Sequence, residues 1–322
     1  MKHSLIIFST IHLLALVFLG FSRANDQASG QAKEAQAAKM DSEPHVQSDP
    51  SIESLPLNQI VLEALRHMPV GGGYSVKRDA MTALRSAVSI FPPDAGIGLN
   101  VKPEIAKPSF CSGATYLAFL ATIETLISQN RMQVSHETLT ALLVNGQADG
   151  EGAWGRWNAN GPGTARLFYE LGLGESFSSI DSAKPGDFMK IFWTDEIGVR
   201  EAGHSVVYLG RRQAAEGEVV RFWSSNTGVG FSEKEVPLTK MKRVLVTRLE
   251  RPERLQNLPL LPKKDDYLAT MLTSRCSADL MLAMVGVKDG RFLAPASVAA
   301  PDVTSASKDP NTRTGALLPS KP

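Results

Sequence analysis

The chain has 322 residues, a formal net charge of +1 and only two cysteines, Cys111 and Cys276. A near-neutral chain has no global field to draw it to nucleic acid or anionic lipid, so any binding has to come from a local site. Two cysteines exclude a scaffold stapled by several disulfides, and a chain of this length can bury a core without one.

The first 24 residues pair a Lys2/His3 start with an apolar run from Leu5 to Phe21 and end on Ser22-Arg23-Ala24. That pattern predicts a cleavable secretory signal, hence a periplasmic or secreted protein with no stable membrane span after cleavage. An uncleaved anchor is the competing reading of so long a run. Residues 25–54 are rich in Gln, Ala, Ser, Glu and Asp with almost no large apolar side chain, which predicts a flexible spacer. Residues 294–322 repeat that character with Pro, Ser, Thr, Asp and Lys and predict a disordered tail. A domain over 55–250 and a helical appendage over 251–293 remain.

Within the domain, residues 57–68 place Val61, Leu62, Leu65 and Met68 near one face and predict a helix ended by Pro69 and Gly71-Gly72-Gly73. A second helix is expected over 77–90, then a Pro/Gly-spaced loop to Pro108. From Cys111, the residues Tyr116, Leu117, Leu120, Ile123 and Ile127 recur at helical spacing, with Ser109 as the expected N-cap. A helix over 136–144 follows. Residues 145–163, which include Trp154-Gly-Arg-Trp, read as an irregular loop. Trp154, Arg156 and Trp157 displayed there would suit recognition of an amide or sugar chain, and a rigid loop that merely caps the fold is the competing reading. Lys184-Pro-Gly-Asp is a turn, and residues 188–193, 203–210, 219–226 and 244–249 read as strands. Helices first and an antiparallel sheet after make the expected fold class α+β.

Cys111 therefore falls in the first turn of a buried helix. There the free amide N–H groups and the positive end of the helix dipole favour a thiolate and can face a developing oxyanion. A small core cysteine is the bland alternative. If the strands either side of 211–218 form a simple hairpin, Tyr208 faces Phe222, Val206 faces Ser224 and His204 faces Asn226. Opposed residues share a face, so the pairing that joins two aromatics also joins a histidine to an asparagine. The remaining histidines lie in the expected signal, the spacer or ordinary helical stretches. Cys111, His204 and Asn226 are thus the candidate catalytic residues. No His/Cys/Asp/Glu set has ligand spacing, so no metal or other cofactor is expected.

At Cys-Ser-Gly 111–113, Pro-Gly-Asp 185–187 and Gly-His-Ser-Val-Val-Tyr-Leu-Gly 203–210, occurring in that order, the chain resembles the papain-like cysteine peptidases and amidases of bacterial cell walls, the NlpC and CHAP families. The resemblance covers roughly residues 105–230. It departs at Phe110, where NlpC members usually carry Asp, and in a longer stretch between Cys111 and His204. What it implies is a papain-like fold with the nucleophile at a helix start packed on an antiparallel sheet. It further implies a thiol hydrolase acting on peptide or amide bonds of peptidoglycan stems, with Cys111 as nucleophile, His204 as base and Asn226 as the polar third residue. Two readings from other classes stay open. One is a non-catalytic wall-binding protein of the same fold in which Cys111 pairs with Cys276. The other is an acyl or amide transferase sharing the thioester chemistry.

Overall fold

A computed structural model of the chain describes residues 55–92, 94 and 96–287. The expected signal (1–24), spacer (25–54) and tail (294–322), with residues 288–293 of the appendage, lie outside the described residues. The described fold is α+β. In chain order it runs α1 Leu57–Arg66, β1 Gly71–Gly72, α2 Arg78–Ser86, β2 Val88–Ile90, β3 Leu99–Val101, α3 Cys111–Ser128, α4 His136–Ala141, α5 Gly152–Asn158 and α6 Gly163–Leu171. It continues with β4 Gly174–Phe177, β5 Phe188–Phe192, β6 Gly203–Ala214, β7 Gly217–Asn226, β8 Gly230–Pro237, β9 Arg243–Leu249, α7 Asp266–Thr270 and α8 Ala278–Ala283.

Seven strands form one antiparallel sheet in the order β1-β8-β7-β6-β5-β9-β4. Alternation along its strands divides the core. Phe188, Val207, Trp223, Phe231 and Leu249 turn toward the helices, while Met189, Ile191, Val206, Phe222 and Val246 pack together on the opposite face. α3 lies against the helix-facing side. Tyr116, Leu117, Ala118, Phe119, Leu120 and Ile123 are all fully buried, as expected of a helix apolar on every side. Its composition would also suit a membrane span, but most of it is enclosed by the rest of the fold. A central helix of this kind is a rigid mount for whatever stands at its first turn.

The β6–β7 hairpin keeps the expected register near the site, with Tyr208 opposite Phe222 and Val207 opposite Trp223. A bulge between Tyr208 and Gly210 then shifts the pairing by one residue, so that Gly210 faces Arg221 and Ala214 faces Gly217. The polar stretch 211–218, expected as a connecting loop, is instead continued strand closed by a tight turn. Its charges are accommodated by ion pairs of Arg212 with Glu235 and Arg211 with Glu218.

The Pro-Gly-Asp turn does structural work. Asp187 is fully buried and accepts hydrogen bonds from Asn58 Nδ2 at 2.8 Å, Lys184 N at 2.8 Å and Arg248 Nη2 at 2.7 Å, which ties α1 and β9 to the start of β5. Gly186 sits at φ +95°, and a Cβ there would lie 2.4 Å from Asn58 O, so only glycine fits. After β9 the appendage packs back onto the domain. Leu255 and Leu258 join the helix-side core, and Met281, Leu282 and Val285 pack with Phe192 and Leu245.

Candidate active site

Cys111 is the first residue of α3, preceded by Phe110 in extended conformation at the N-cap position. Ser109 does not cap the helix, contrary to expectation. Its hydroxyl donates to Ser225 Oγ at 2.8 Å, across to β7. No side chain closes the first turn, which leaves its N–H groups available to an incoming oxygen.

The structure brings Cys111, His204 and Asn226 together. The recorded β6–β7 pairing ends at Val207 and Trp223, yet the side chains beyond it still meet, with His204 Nε2 3.1 Å from Asn226 Oδ1. Asn226 is buried, and its Nδ2 donates to Ser232 O at 2.9 Å and Ser232 Oγ at 3.0 Å. That fixes the amide orientation, presents Oδ1 to the ring and makes Nε2 the protonated nitrogen, leaving Nδ1 for the thiol. Trp193 stacks on the imidazole with centroids 6.4 Å apart, and Phe222 meets it edge-on at 5.6 Å. The ring is thereby held in one plane.

Burial pushes the Cys111 thiol up, but the hydrogen bond and charge of His204, the Ser205 backbone N–H and the Lys190 ammonium outweigh it. The net result is a pKa lowered to about 7. Cys276 moves the other way, raised by burial despite a hydrogen bond with Tyr267. Both cysteines are free thiols.

Tyr74 is a site residue that sequence reasoning missed. Ser109 N donates to Gly73 O at 3.1 Å and Ser75 N to Ser109 O at 2.9 Å, forming a parallel bridge that lays Tyr74 beside Cys111. Its phenol is raised to about 12 by burial first, then by the charge of Cys111 and a hydrogen bond with it. The Tyr74 hydroxyl thus stays protonated and is a donor at the sulfur. Cys111, Tyr74, Phe110, Ser112, Asp149, Asn158, Lys190 and Ser205 are among the residues lining a cleft of about 360 Å³.

The expected substrate-recognition set is corrected. Residues 152–158 form α5, and Trp154, Arg156 and Trp157 are each at most 1% exposed. Trp157 stacks on Phe119 at 5.0 Å and meets Phe188 edge-on at 5.3 Å, while Trp154 packs on Tyr116 at 5.2 Å. Arg156 donates to Glu170 Oε2 at 2.7 Å, Pro262 O at 2.8 Å and Gly150 O at 3.1 Å. Side chains so enclosed have no surface to offer a ligand. They are the aromatic core under α3 and the staple that joins the appendage to the domain.

Comparison with family models, with curated proteins and with solved structures finds no match to this chain.

Proposed function

We propose that the chain is an exported cysteine hydrolase of papain-like type that cleaves peptide or amide bonds, with peptidoglycan stem peptides as its substrate. The observation that carries this reading is a thiol lowered to about 7 at an uncapped helix start, beside an imidazole whose other nitrogen is held by Asn226. A structural cysteine needs none of these arrangements.

In this mechanism the Cys111 thiolate attacks the scissile carbonyl carbon, forming a C–S bond as the carbonyl electrons move to oxygen. The resulting oxyanion is received by first-turn N–H groups of α3, with the Tyr74 hydroxyl as a further donor at the same end of the cleft. His204 Nδ1 hands its proton to the departing amine, the C–N bond breaks and a thioester remains. Water, deprotonated by the now neutral imidazole, then releases the carboxylate and regenerates the thiol. Asn226 keeps the ring in the tautomer that both proton transfers need. Transfer of the acyl group to an amine would use the same thioester.

The test is release of soluble fragments from purified peptidoglycan. The intact protein should release them, and Cys111→Ala and His204→Ala should each abolish release while remaining folded. The double variant should be no worse than either single one, because the two residues act as a unit. Full activity in Cys111→Ala would overturn the reading.

A further inference from the structure

We infer that Asp149 forms an acidic subsite beside Cys111 that takes a positively charged primary amine of the substrate close to the scissile bond. The inference rests on the cysteine-hydrolase reading and deepens it. Asp149 and Lys190 line the same cleft as the nucleophile, together with Glu201. The Glu201 side chain is buried and already ion-paired. Its Oε1 lies 2.6 Å from Lys190 Nζ, and its Oε2 accepts from Gly161 N at 2.6 Å and Gly198 N at 3.1 Å. Two carboxylates therefore share one ammonium, and the shared ammonium is bound to the other one. Among the described residues Asp149 forms no ion pair. It is half-buried, feels Lys190 only through its field and is hydrogen-bonded by Asn158, whose Oδ1 accepts from Ser112 Oγ at 2.6 Å. This chain of contacts connects Asp149 to the residue next to Cys111.

The position of Asp149 is built, not incidental. The carbonyl of the next residue, Gly150, accepts from Asp265 N at 2.8 Å and Arg156 Nη1 at 3.1 Å. Gly150 lies at φ +83°, where a Cβ would come 2.6 Å from Asp265 O, so the appendage is clamped directly against this loop. The appendage also supplies Leu272 to the cleft, 57% exposed, facing a lining that includes Val76, 71% exposed. Apolar side chains at the mouth of a cleft exclude water once a substrate enters, which strengthens a charge pair inside. A half-buried carboxylate lacking a cation of its own, in a cleft with net negative charge, selects an ammonium over a carboxylate or a neutral group.

Alkylation of Cys111 reads this without knowledge of the natural substrate. Rates of 2-bromoethylammonium and iodoacetamide are measured on the full chain and on Asp149→Asn. In each case sulfur forms a bond to carbon and halide leaves. The readout is the ratio of the two rates, so a general loss of thiol reactivity cancels. The ratio should fall about five- to tenfold in Asp149→Asn, the size of one nearby charge in a solvated cleft, and Asp149→Glu should restore part of it. In the unaltered protein the cationic advantage should shrink as salt is raised, which tests the subsite even where a variant fails to fold. An unchanged ratio, or one indifferent to salt, overturns the subsite while leaving the nucleophile intact. Failure of iodoacetamide to label Cys111 ahead of Cys276 overturns the cysteine-hydrolase reading and the subsite with it. Alanyl-alanyl chloromethyl ketone with a free α-amine and N-acetyl-alanyl-lysyl chloromethyl ketone distinguish a terminal from a side-chain amine. If neither outpaces N-acetyl-alanyl-alanyl chloromethyl ketone, the subsite is overturned.

Discussion

Replacing Arg156 by Met should unfold the domain at markedly lower denaturant. The guanidinium has no exposed surface and bonds to Glu170 Oε2 and to the carbonyls of Gly150, Gly152 and Pro262. Met matches much of the volume but leaves the Glu170 carboxylate, 12% exposed, without its cation. Breaking one partner of a buried pair costs about 3 to 5 kcal/mol, because the remaining charge is desolvated and uncompensated. For a domain of this size that corresponds to a fall in Tm of roughly 10 to 15 °C. Removing both charges in Arg156→Met/Glu170→Met should recover much of the loss, so the double variant should be more stable than the sum of the singles predicts. Urea unfolding followed by tryptophan fluorescence measures all three. A loss under about 1 kcal/mol in Arg156→Met would refute the staple and reopen a role for this side chain at the surface.

Ser225→Ala should cost about 1 to 2 kcal/mol and slow turnover, because it strips the buried partner from Ser109, two residues before Cys111; urea unfolding and fragment release check this, and silence in both would contradict it. Asn226→Ala should slow turnover more than Ser225→Ala and less than His204→Ala, as seen by fragment release at a pH where all remain folded. Tyr74→Phe should lower turnover about tenfold with stability changed by less than about 1 kcal/mol, and should shift the pH profile of Cys111 alkylation upward as a donor to the thiolate is lost.

The juxtaposition at the site was largely legible in the sequence. Helical spacing after Cys111 is strong, and the Tyr208–Phe222 pairing fixes the register near His204 and Asn226. The bulge after Tyr208 was not legible, since an inserted residue leaves the polar pattern of 211–218 unchanged. β8 was missed because Ser232, Glu233, Lys234 and Glu235 carry no apolar alternation; it is held as a strand by pairing with β7. α5 was missed because its glycines argue for a loop, and burial of Trp154 and Trp157 among distant aromatics overrides that local preference. Tyr74 and Asp149 reach the cleft through pairings of Gly73 with Ser109 and of Gly150 with Asp265, contacts far apart in sequence that no periodicity encodes. Ser225 gives no signal in the sequence beyond its place next to Asn226. It points to the face of β7 opposite Asn226, the one packed on the helices, where it meets Ser109.

The most direct test of the central claim is the pH dependence of iodoacetamide alkylation at Cys111 and Cys276, mapped by mass on the intact chain. With a pKa of about 7, about one tenth of Cys111 is thiolate at pH 6, so its rate should rise through pH 7 and level off near pH 8. Cys276, raised above the ordinary thiol value, should react at least about a hundredfold more slowly at pH 6. His204→Ala should move the Cys111 rise to higher pH, because the hydrogen bond and positive charge that offset burial are gone. A Cys111 that reacts only above about pH 8.5 and in step with Cys276, or a mass showing the two joined, would contradict the account.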